Sequence, residues 1–135
     1  MLFTRESDYA LRLLRNLNTT EPTGVSSIVD KEHLTVSIAY KVARKLEKGG
    51  LLNSIRGQSG GYLLSRSLSD ITLYDVYNIT DPNAFVTECI KPDHICPLNS
   101  GNNSCSMHYE LIRIQDVLNE ELQRKNLQEI FSKMQ

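Results

Sequence analysis

Three cysteines are the residues of this chain with the clearest capacity for chemistry. Cys89, Cys96 and Cys105 are the only cysteines in the sequence, and they follow a C-x6-C-x8-C spacing. An odd number of thiols does not suit a disulfide framework, which leaves metal ligation, a redox thiol switch or chance placement. Thiolates in a proline-rich loop can wrap around an iron–sulfur cluster, which prefers soft ligands. The spacing lacks the close cysteine pairs of zinc ribbons and ferredoxins, so spacing alone does not select among these chemistries.

A four-coordinate metal site needs one more ligand, and two residues are candidates. His108 follows Cys105 by one helical turn, so both side chains can face the same point. Asp8 belongs to the first predicted helix and can arrive only through folding or from a partner subunit. Because Cys105 stands where the last long helix begins, the helix dipole favours an anionic ligand there.

The stretch 36–64 predicts a second kind of site. Its first part is an amphipathic helix stopped by the pair Gly49–Gly50, and its second part is two short strands joined by a glycine turn. A helix followed at once by a basic hairpin is typical of a winged helix-turn-helix, whose recognition helix enters the major groove. The alternative is an ordinary helix and hairpin with a solvated basic face. The candidate DNA contacts come from the start of the chain, the recognition helix and the wing: Arg5, Ser37, Tyr40, Lys41, Arg44, Arg56, Gln58 and Ser59.

Charge and composition narrow the function. The net charge is −1, but residues 1–66 carry ten Lys/Arg against six Asp/Glu, while residues 67–135 carry five against ten. Phosphate attraction depends on the local field, so the asymmetry favours DNA binding by the first half. No apolar run approaches transmembrane length and no signal-peptide pattern is present, so we expect a cytoplasmic protein with no membrane partner.

The remaining elements complete a mainly α fold with a small β-hairpin wing. Helices are predicted over Arg5–Leu17, over Val25–Lys31 and from Leu73, the last capped by Thr72 with Asp75 as a weak capping box. These elements divide the whole chain into three predicted segments: a winged helix-turn-helix domain at 1–80, a cysteine-bearing loop at 81–104, and a dimerisation helix with a C-terminal helix at 105–135.

The last long helix is predicted to begin after a Ser104 cap and to run to Gln123. Its apolar stripe is long for a helix appended to a small domain, and the segment Leu127 to Met134 can cover only part of it. Pairing with the same helix of a second chain is the economical solution, and it suits recognition of a palindrome. The alternative is packing on the first domain. The residues predicted at the interface are Leu111, Ile114, Leu118 and Leu122.

The sequence resembles the IscR/NsrR family of winged-helix transcription regulators. The matching stretches are FTRESDYALRLL at 3–14, VARKLEKGGLLNSIRGQSGGYLLSR at 42–66 and ITLYDV at 71–76, followed by three cysteines ahead of a long helix. The wing pattern RG-x-x-GGY-x-L is specific, and its position after K-GG-LL strengthens the match. The resemblance extends over nearly the whole chain and is weakest at 81–104 and at the C-terminal end.

The resemblance implies a homodimeric regulator, most simply a repressor, that binds a palindromic operator in double-stranded DNA. Cys89, Cys96 and Cys105 match the cysteines that hold an iron–sulfur cluster in many members, where nitric oxide, iron shortage or oxidation alters DNA affinity. His108 matches the fourth ligand of some members, and Asp8 matches an acidic ligand that the other subunit supplies in others. Two-iron and four-iron clusters both remain open.

Two features keep an alternative open. The gap between Cys96 and Cys105 is longer than is usual in the family, with residues 100–103 resembling an insertion. Other members lack a cluster, so a cluster-free regulator responding to a small molecule, a protein partner or thiol oxidation is the second prediction. An enzyme is not expected, because the chain has no nucleophile–base–orienter set and GQSGG lacks the lysine of a phosphate loop.

Overall fold

The computed structural model describes residues 3–133, so positions 1–2 and 134–135 of the predicted segments lie outside the described residues. The predicted class is confirmed: helices surround one antiparallel hairpin. The elements are α1 (Arg5–Leu14), α2 (Val25–Glu32), α3 (Val36–Lys48), β1 (Leu52–Ile55), β2 (Gly61–Leu64), α4 (Leu73–Thr80), α5 (Ser106–Gln123) and α6 (Leu127–Phe131). No helix within residues 3–133 has both the length and the apolarity needed to cross a membrane.

Helix α1 ends at Leu14, three residues earlier than its apolar stripe predicted. The chain then tightens, because the amides of Asn16 and Leu17 donate to the carbonyls three residues earlier. Leu17 therefore stays in the core although it is no longer helical, and it is only 5% exposed. The side-chain pattern predicted burial correctly and the helix end wrongly.

A buried carboxylate fixes the angle between α1 and α2. Glu32 is 4% exposed and accepts hydrogen bonds from Arg15 Nε at 2.7 Å and from Asn16 Nδ2 at 2.6 Å. The Glu32 carbonyl accepts a further bond from Arg12 at 3.1 Å. His33 then adopts a left-handed conformation with φ 55°, which turns the chain toward α3.

The wing is anchored at its base rather than at its tip. Tyr62 of β2 exchanges two backbone hydrogen bonds with Thr23, at 3.0 and 2.9 Å. A Cβ at Gly61 would lie 2.2 Å from the Thr23 carbonyl oxygen, and the Gly61 φ is +152°. Only glycine permits both the close approach and this backbone conformation, which explains one residue of the GGY pattern.

The C-terminal helix packs on the winged domain rather than along α5, where the sequence had placed it. The Leu127 amide donates to the Ile71 carbonyl at 2.8 Å, and the Leu127 side chain is fully buried in the main core. Met134, the last residue of that prediction, lies outside the described residues. The predicted capping box of α4 is confirmed, with Thr72 and Asp75 bonding reciprocally.

Helix α5 begins one residue later than predicted. Cys105, not Ser104, is the N-cap, because its backbone is extended and its amide is held at 3.0 Å by the Asn99 side chain. The preceding segment 81–104 contains two short 3-10 turns, at Glu88–Ile90 and Pro97–Asn99, where no regular element was predicted. This segment, called the cysteine segment below, therefore has a defined path between α4 and α5.

Candidate DNA interface and cysteine segment

Helix α3 presents one apolar face to the core and one polar face to solvent. Its start is capped by the Thr35 side chain, which accepts from the Ile38 amide at 3.3 Å. Small residues at positions 39 and 43 are fully buried, so the helix backbone lies close to the core. The predicted contact residues recur at i, i+3, i+4 and i+7, and all are exposed on the opposite face: Ser37, Tyr40, Lys41 and Arg44.

The tip of the wing lies beside this polar face. Arg56, Gln58 and Ser59 are all exposed, as a DNA-contacting hairpin requires. A groove of about 370 Å³ separates the wing from α3, and Tyr40 and Gln58 are among the residues that line it. The groove and the polar face of α3 together form a continuous candidate DNA interface.

Sequence reasoning missed one contributor to this groove. Helix α2 begins at its edge, where Ser26 contributes to the lining and where Gly24 provides no side-chain cap. The first amides of a helix have no intrahelical acceptor, so they are available to a phosphate oxygen. The signal in the sequence is Gly24, which stands before α2 where a Ser, Thr or Asp would cap the first amides with its side chain.

Two charged residues of the recognition helix have partners that the sequence did not predict. The Arg44 guanidinium lies 5.8 Å from the centre of the Tyr40 ring, a cation–π contact that orients both side chains. Lys41 Nζ lies 2.7 Å from Glu6 Oε1. Arg5, the neighbour of Glu6 at the first position of α1, is exposed.

Glu6 bridges the first helix to the recognition helix. Its second oxygen lies 2.6 Å from Lys45 Nζ, and the Lys45 ammonium also donates to the Thr80 carbonyl at 2.9 Å. Hydrogen bonds from Lys41 and Lys45 hold the pKa of Glu6 below its ordinary value. The three helices α1, α3 and α4 are thus tied by one carboxylate and one ammonium group.

The three thiols do not converge. Cys89, Cys96 and Cys105 are free and half-buried, and no group of three or more His, Cys, Asp or Glu side chains within residues 3–133 is placed to hold a metal ion. Asp8 lies elsewhere and pairs with Arg12 at 2.8 Å. A single chain in this conformation therefore brings together none of the predicted ligand sets.

The donor chemistry nevertheless suits iron. His108 Nδ1 is buried and has no hydrogen-bond partner among the residues that the structure describes. A buried polar atom without a partner is costly, and a ligand is one way to satisfy it. His108 lies one turn after Cys105, so a soft thiolate donor and this imidazole nitrogen occupy the same end of α5.

The cysteine segment is attached to both flanking helices. Tyr77 of α4 donates its hydroxyl to the Ala84 carbonyl at 2.6 Å. Gln115 of α5 is 7% exposed and accepts from the Val86 amide at 2.9 Å. Both anchors precede Cys89, so they connect the chain that leads to the thiols with α4 and α5.

The beginning of the cysteine segment is also bonded to the start of α1. Asp81 Oδ2 accepts hydrogen bonds from Ser7 Oγ at 2.6 Å, from Thr4 Oγ1 at 2.9 Å and from Thr80 Oγ1 at 3.1 Å. Thr4 is the N-cap of α1, and Ser7 and Thr80 are almost completely buried. The first residue of the segment is therefore hydrogen-bonded to α1, the helix that carries Glu6.

Helix α5 exposes an apolar face. Met107, Ile114 and Val117 are 62%, 42% and 53% exposed, while Leu111 and Leu118 are half-buried beside them. The fourth predicted interface residue differs, because Leu122 is only 5% exposed and already packs within its own chain.

The fold and the polar face of α3 with its adjacent wing define a winged helix-turn-helix DNA-binding protein. A family model described as Rrf2, an iron-dependent transcriptional regulator, matches residues 3–133. The chain belongs to the Rrf2 family, whose members are DNA-binding transcriptional regulators and not enzymes.

Individual relatives agree with this assignment. The chain is 29% identical over 126 residues to the transcriptional regulator NsrR of Shouchella clausii, covering 90% of this chain and 78% of that protein. It is 28% identical over 92 residues to IscR of Klebsiella pneumoniae, covering 66% of this chain but only 56% of that protein. The solved structure of CymR, the global cysteine regulator of B. subtilis, superposes with a TM-score of 0.75 at 24% identity, covering 97% and 96% of the two chains.

Proposed function

We propose that this regulator is a homodimeric repressor that binds a palindromic operator in double-stranded DNA. The observation that supports DNA contact is the exposed face of α3, with Ser37, Tyr40, Lys41 and Arg44 beside the tip of the wing. In this arrangement α3 enters the major groove while Arg56 reaches a phosphate or the minor groove. Gln58, Ser59 and Arg5 add contacts at the margins.

The dimer interface that we propose is the apolar face of α5. Ile114 and Val117 lie at its centre with Met107 about two turns before Ile114, and all three are exposed in the single chain. An apolar stripe at this spacing is covered most simply by the same stripe of a second chain. Two recognition helices held by one dimer then read two half-sites.

We propose further that an iron–sulfur cluster controls operator affinity. Cys89 and Cys96 of the cysteine segment and Cys105 at the start of α5 would hold it, with His108 or Asp8 of the partner subunit as the fourth ligand. When bound, the cluster supplies a group that nitric oxide, oxidants or iron shortage can remove or alter. The chemistry of the donors supports this proposal, in particular the unpartnered His108 Nδ1.

The residues around the segment provide the coupling. Ligation by Cys89 and Cys96 restricts a chain that Gln115 attaches to α5 and that Asp81 attaches to α1. Helix α5 sets the distance between the two recognition helices in the dimer, and α1 contacts α3 directly through Glu6. A small displacement changes affinity, because the half-site spacing of the operator is fixed.

The test is an absorption spectrum with iron and sulfide assays on protein purified without oxygen. We expect a brown protein containing iron and sulfide in proportion, and the iron content per chain distinguishes two-iron from four-iron forms. Cys89→Ala is expected to lose the colour and to change operator affinity at matched salt. Colourless protein that gains no iron on anaerobic reconstitution would refute the cluster but not the DNA-binding dimer.

The second candidate is a cluster-free regulator of the same fold. The observation that favours it is that the three thiols lie apart in the described conformation. In that case thiol oxidation, a small molecule or a protein partner would carry the signal. Counting free thiols by mass spectrometry after mild oxidant treatment, alongside operator binding, distinguishes an oxidation switch from thiols without a role.

A further inference from the structure

The ion-pair bridge at Glu6 is not symmetric. The Glu6 side chain is 27% exposed, whereas the two lysines that it contacts are 70% exposed at Lys41 and 38% exposed at Lys45. Lys45 also donates to the Thr80 carbonyl, so it is fixed by two elements. Lys41 has Glu6 as its one recorded partner among the described residues, and it projects from the face of α3 that meets DNA.

Lys41 therefore has two competing anionic partners. In the free protein its ammonium group lies 2.7 Å from the Glu6 carboxylate. On DNA a phosphate oxygen offers a similar charge, but binding it requires Lys41 either to leave Glu6 or to share its charge. Lys45 does not face this choice, because the Thr80 carbonyl and Glu6 together hold its ammonium group between α1 and α4.

We propose that Glu6 is an affinity-limiting residue that competes with DNA phosphate for Lys41. This inference rests on the proposed DNA-binding function and deepens it. The competition weakens binding to any sequence through the backbone, which is the only way in which random DNA is bound. The same phosphates are present on operator and random DNA, so Glu6 lowers the affinity for both and limits overall binding rather than base preference.

The expected size of the effect follows from the exposure of the pair. Exposed ion pairs contribute little, so removing the Glu6 charge should strengthen random-DNA binding by about threefold. The salt dependence should change as well, because each additional phosphate contact steepens the slope of log affinity against log salt by about 0.9. A steeper slope is a signature that a change in folding does not produce.

The competing interpretation is that Glu6 only ties α1 to α3. Removing its charge would then loosen the recognition helix, so thermal stability and DNA affinity would fall together. The two interpretations predict opposite signs for random-DNA affinity, which makes the experiment decisive.

The experiment measures fluorescence anisotropy of a labelled random-sequence duplex across a salt series, using full-length protein. We compare wild type, Glu6→Gln, Lys41→Gln and the double variant. Glu21→Gln is the matched control, because Glu21 is exposed and forms no ion pair in the part of the chain that the structure describes. It changes the net charge by the same amount.

We expect Glu6→Gln to bind about threefold more tightly than wild type and with a steeper salt slope, and Glu21→Gln to change neither. In the Lys41→Gln background the effect of Glu6→Gln should vanish. Unchanged or weaker binding by Glu6→Gln, or a gain that persists without Lys41, would overturn the inference. If wild type bound neither random nor operator DNA, the proposed function itself would fail.

A measurement on the wild type covers the case in which Glu6→Gln does not fold. The side-chain ammonium signal of Lys41 in nitrogen-15 NMR reports its ion pair directly. We expect this signal to shift on addition of the random duplex, while that of Lys45 stays in place. A Lys41 signal that DNA leaves unchanged would contradict the competition.

Discussion

The winged domain and the region that follows it differ in how completely a single chain buries their apolar side chains. In the winged domain, α1, α3 and the wing share a core in which Leu14, Ala39 and Leu46 have no exposed surface. In the region 81–123, large apolar side chains face solvent, with Ile95 83% and Leu98 73% exposed. Two regions of one short chain thus differ strongly in the exposure of their apolar side chains.

This difference indicates where the molecule depends on something outside the single chain. Burying one large apolar side chain contributes about 1.5–3 kcal/mol of stability. Covering the exposed stripe on α5 would therefore stabilise the protein by several times this amount. The unpartnered nitrogen of His108 lies at the start of the same helix. The winged domain has a buried core of its own. The region 81–123 instead leaves apolar side chains exposed and His108 Nδ1 without a partner among the described residues, as expected if a second chain and a ligand complete it.

The strongest test of this contrast is to place charge on the apolar face of α5. Ile114→Glu and Val117→Glu should each convert the proposed dimer to a monomer, because burying a carboxylate without a partner is strongly unfavourable. Operator affinity should fall by about a hundredfold or more, since two half-sites are no longer read together. Sedimentation velocity and operator binding measure the two effects.

Ile112→Glu is the matched control for the α5 face. Ile112 is 37% exposed on the same helix but points away from Ile114 and Val117. We expect it to leave the dimer intact. If the wild type sediments as a monomer, the exposed stripe needs another partner and the comparison between the two regions must be revised.

In the winged domain the largest effect is expected at the buried carboxylate. Glu32→Gln removes the charge that Arg15 and Asn16 contact, which leaves the Arg15 charge without this carboxylate. Breaking a buried ion pair costs about 3 kcal/mol when one partner is partly exposed, as Arg15 is. Urea unfolding measures the loss, and Glu88→Gln in the cysteine segment should cost much less because its ion pair is exposed.

The same residue gives the winged domain a pH dependence. Hydrogen bonding to Arg15 lowers the pKa of Glu32 in the folded state. A carboxyl with a lowered folded pKa stabilises the protein above its unfolded pKa, and this contribution is lost as the pH falls through the folded pKa. The melting temperature of wild type should therefore fall more steeply below about pH 4.5 than that of Glu32→Gln. Equal slopes would show that Glu32 is not coupled to folding.

A smaller effect is expected at the tip of the wing. Arg56→Ala should weaken operator binding by about tenfold, because one phosphate or minor-groove contact is lost. The fold should be unchanged, since Arg56 is exposed and lies outside β1 and β2. Arg124→Ala removes the same charge at the C-cap of α5, outside the proposed DNA interface, and should change binding little. Equal losses in the two variants would indicate a general charge effect.

The elements that the sequence predicted best are those with strong local signals. The bounds of α3 follow from Thr35, whose hydroxyl caps its start, and from Gly49, which caps its end. The wing follows from its glycines, which the contact with Thr23 explains. The cap and the glycines are visible in the sequence itself, so sequence alone locates these elements, although the contact that requires Gly61 involves the distant Thr23.

Relations between distant residues could not be predicted in this way. The pairing of Lys41 with Glu6 joins positions 35 apart, on different helices, across exposed faces with no apolar pattern to set their register. The burial of Leu122 depends on how α5 folds back on its own chain, although its spacing matched the interface stripe. The ligand set of the three cysteines stays a prediction, because C-x6-C-x8-C allows many loop paths.

The smallest predicted effect tests whether the cysteine segment is held as firmly as the winged domain. Gln115→Ala removes the acceptor of the Val86 amide and the donor to Asn119 Oδ1, and should cost about 1–2 kcal/mol, since two hydrogen bonds are lost. Gln123→Ala is the matched control, because Gln123 lies on the same helix and its side chain bonds, among residues 3–133, only to the Asn119 carbonyl. Hydrogen exchange should accelerate at Val86 and its neighbours while the amides of α3 keep their protection. Acceleration throughout the chain would mean that the two regions unfold together, and unchanged exchange at Val86 would mean that another contact holds the segment.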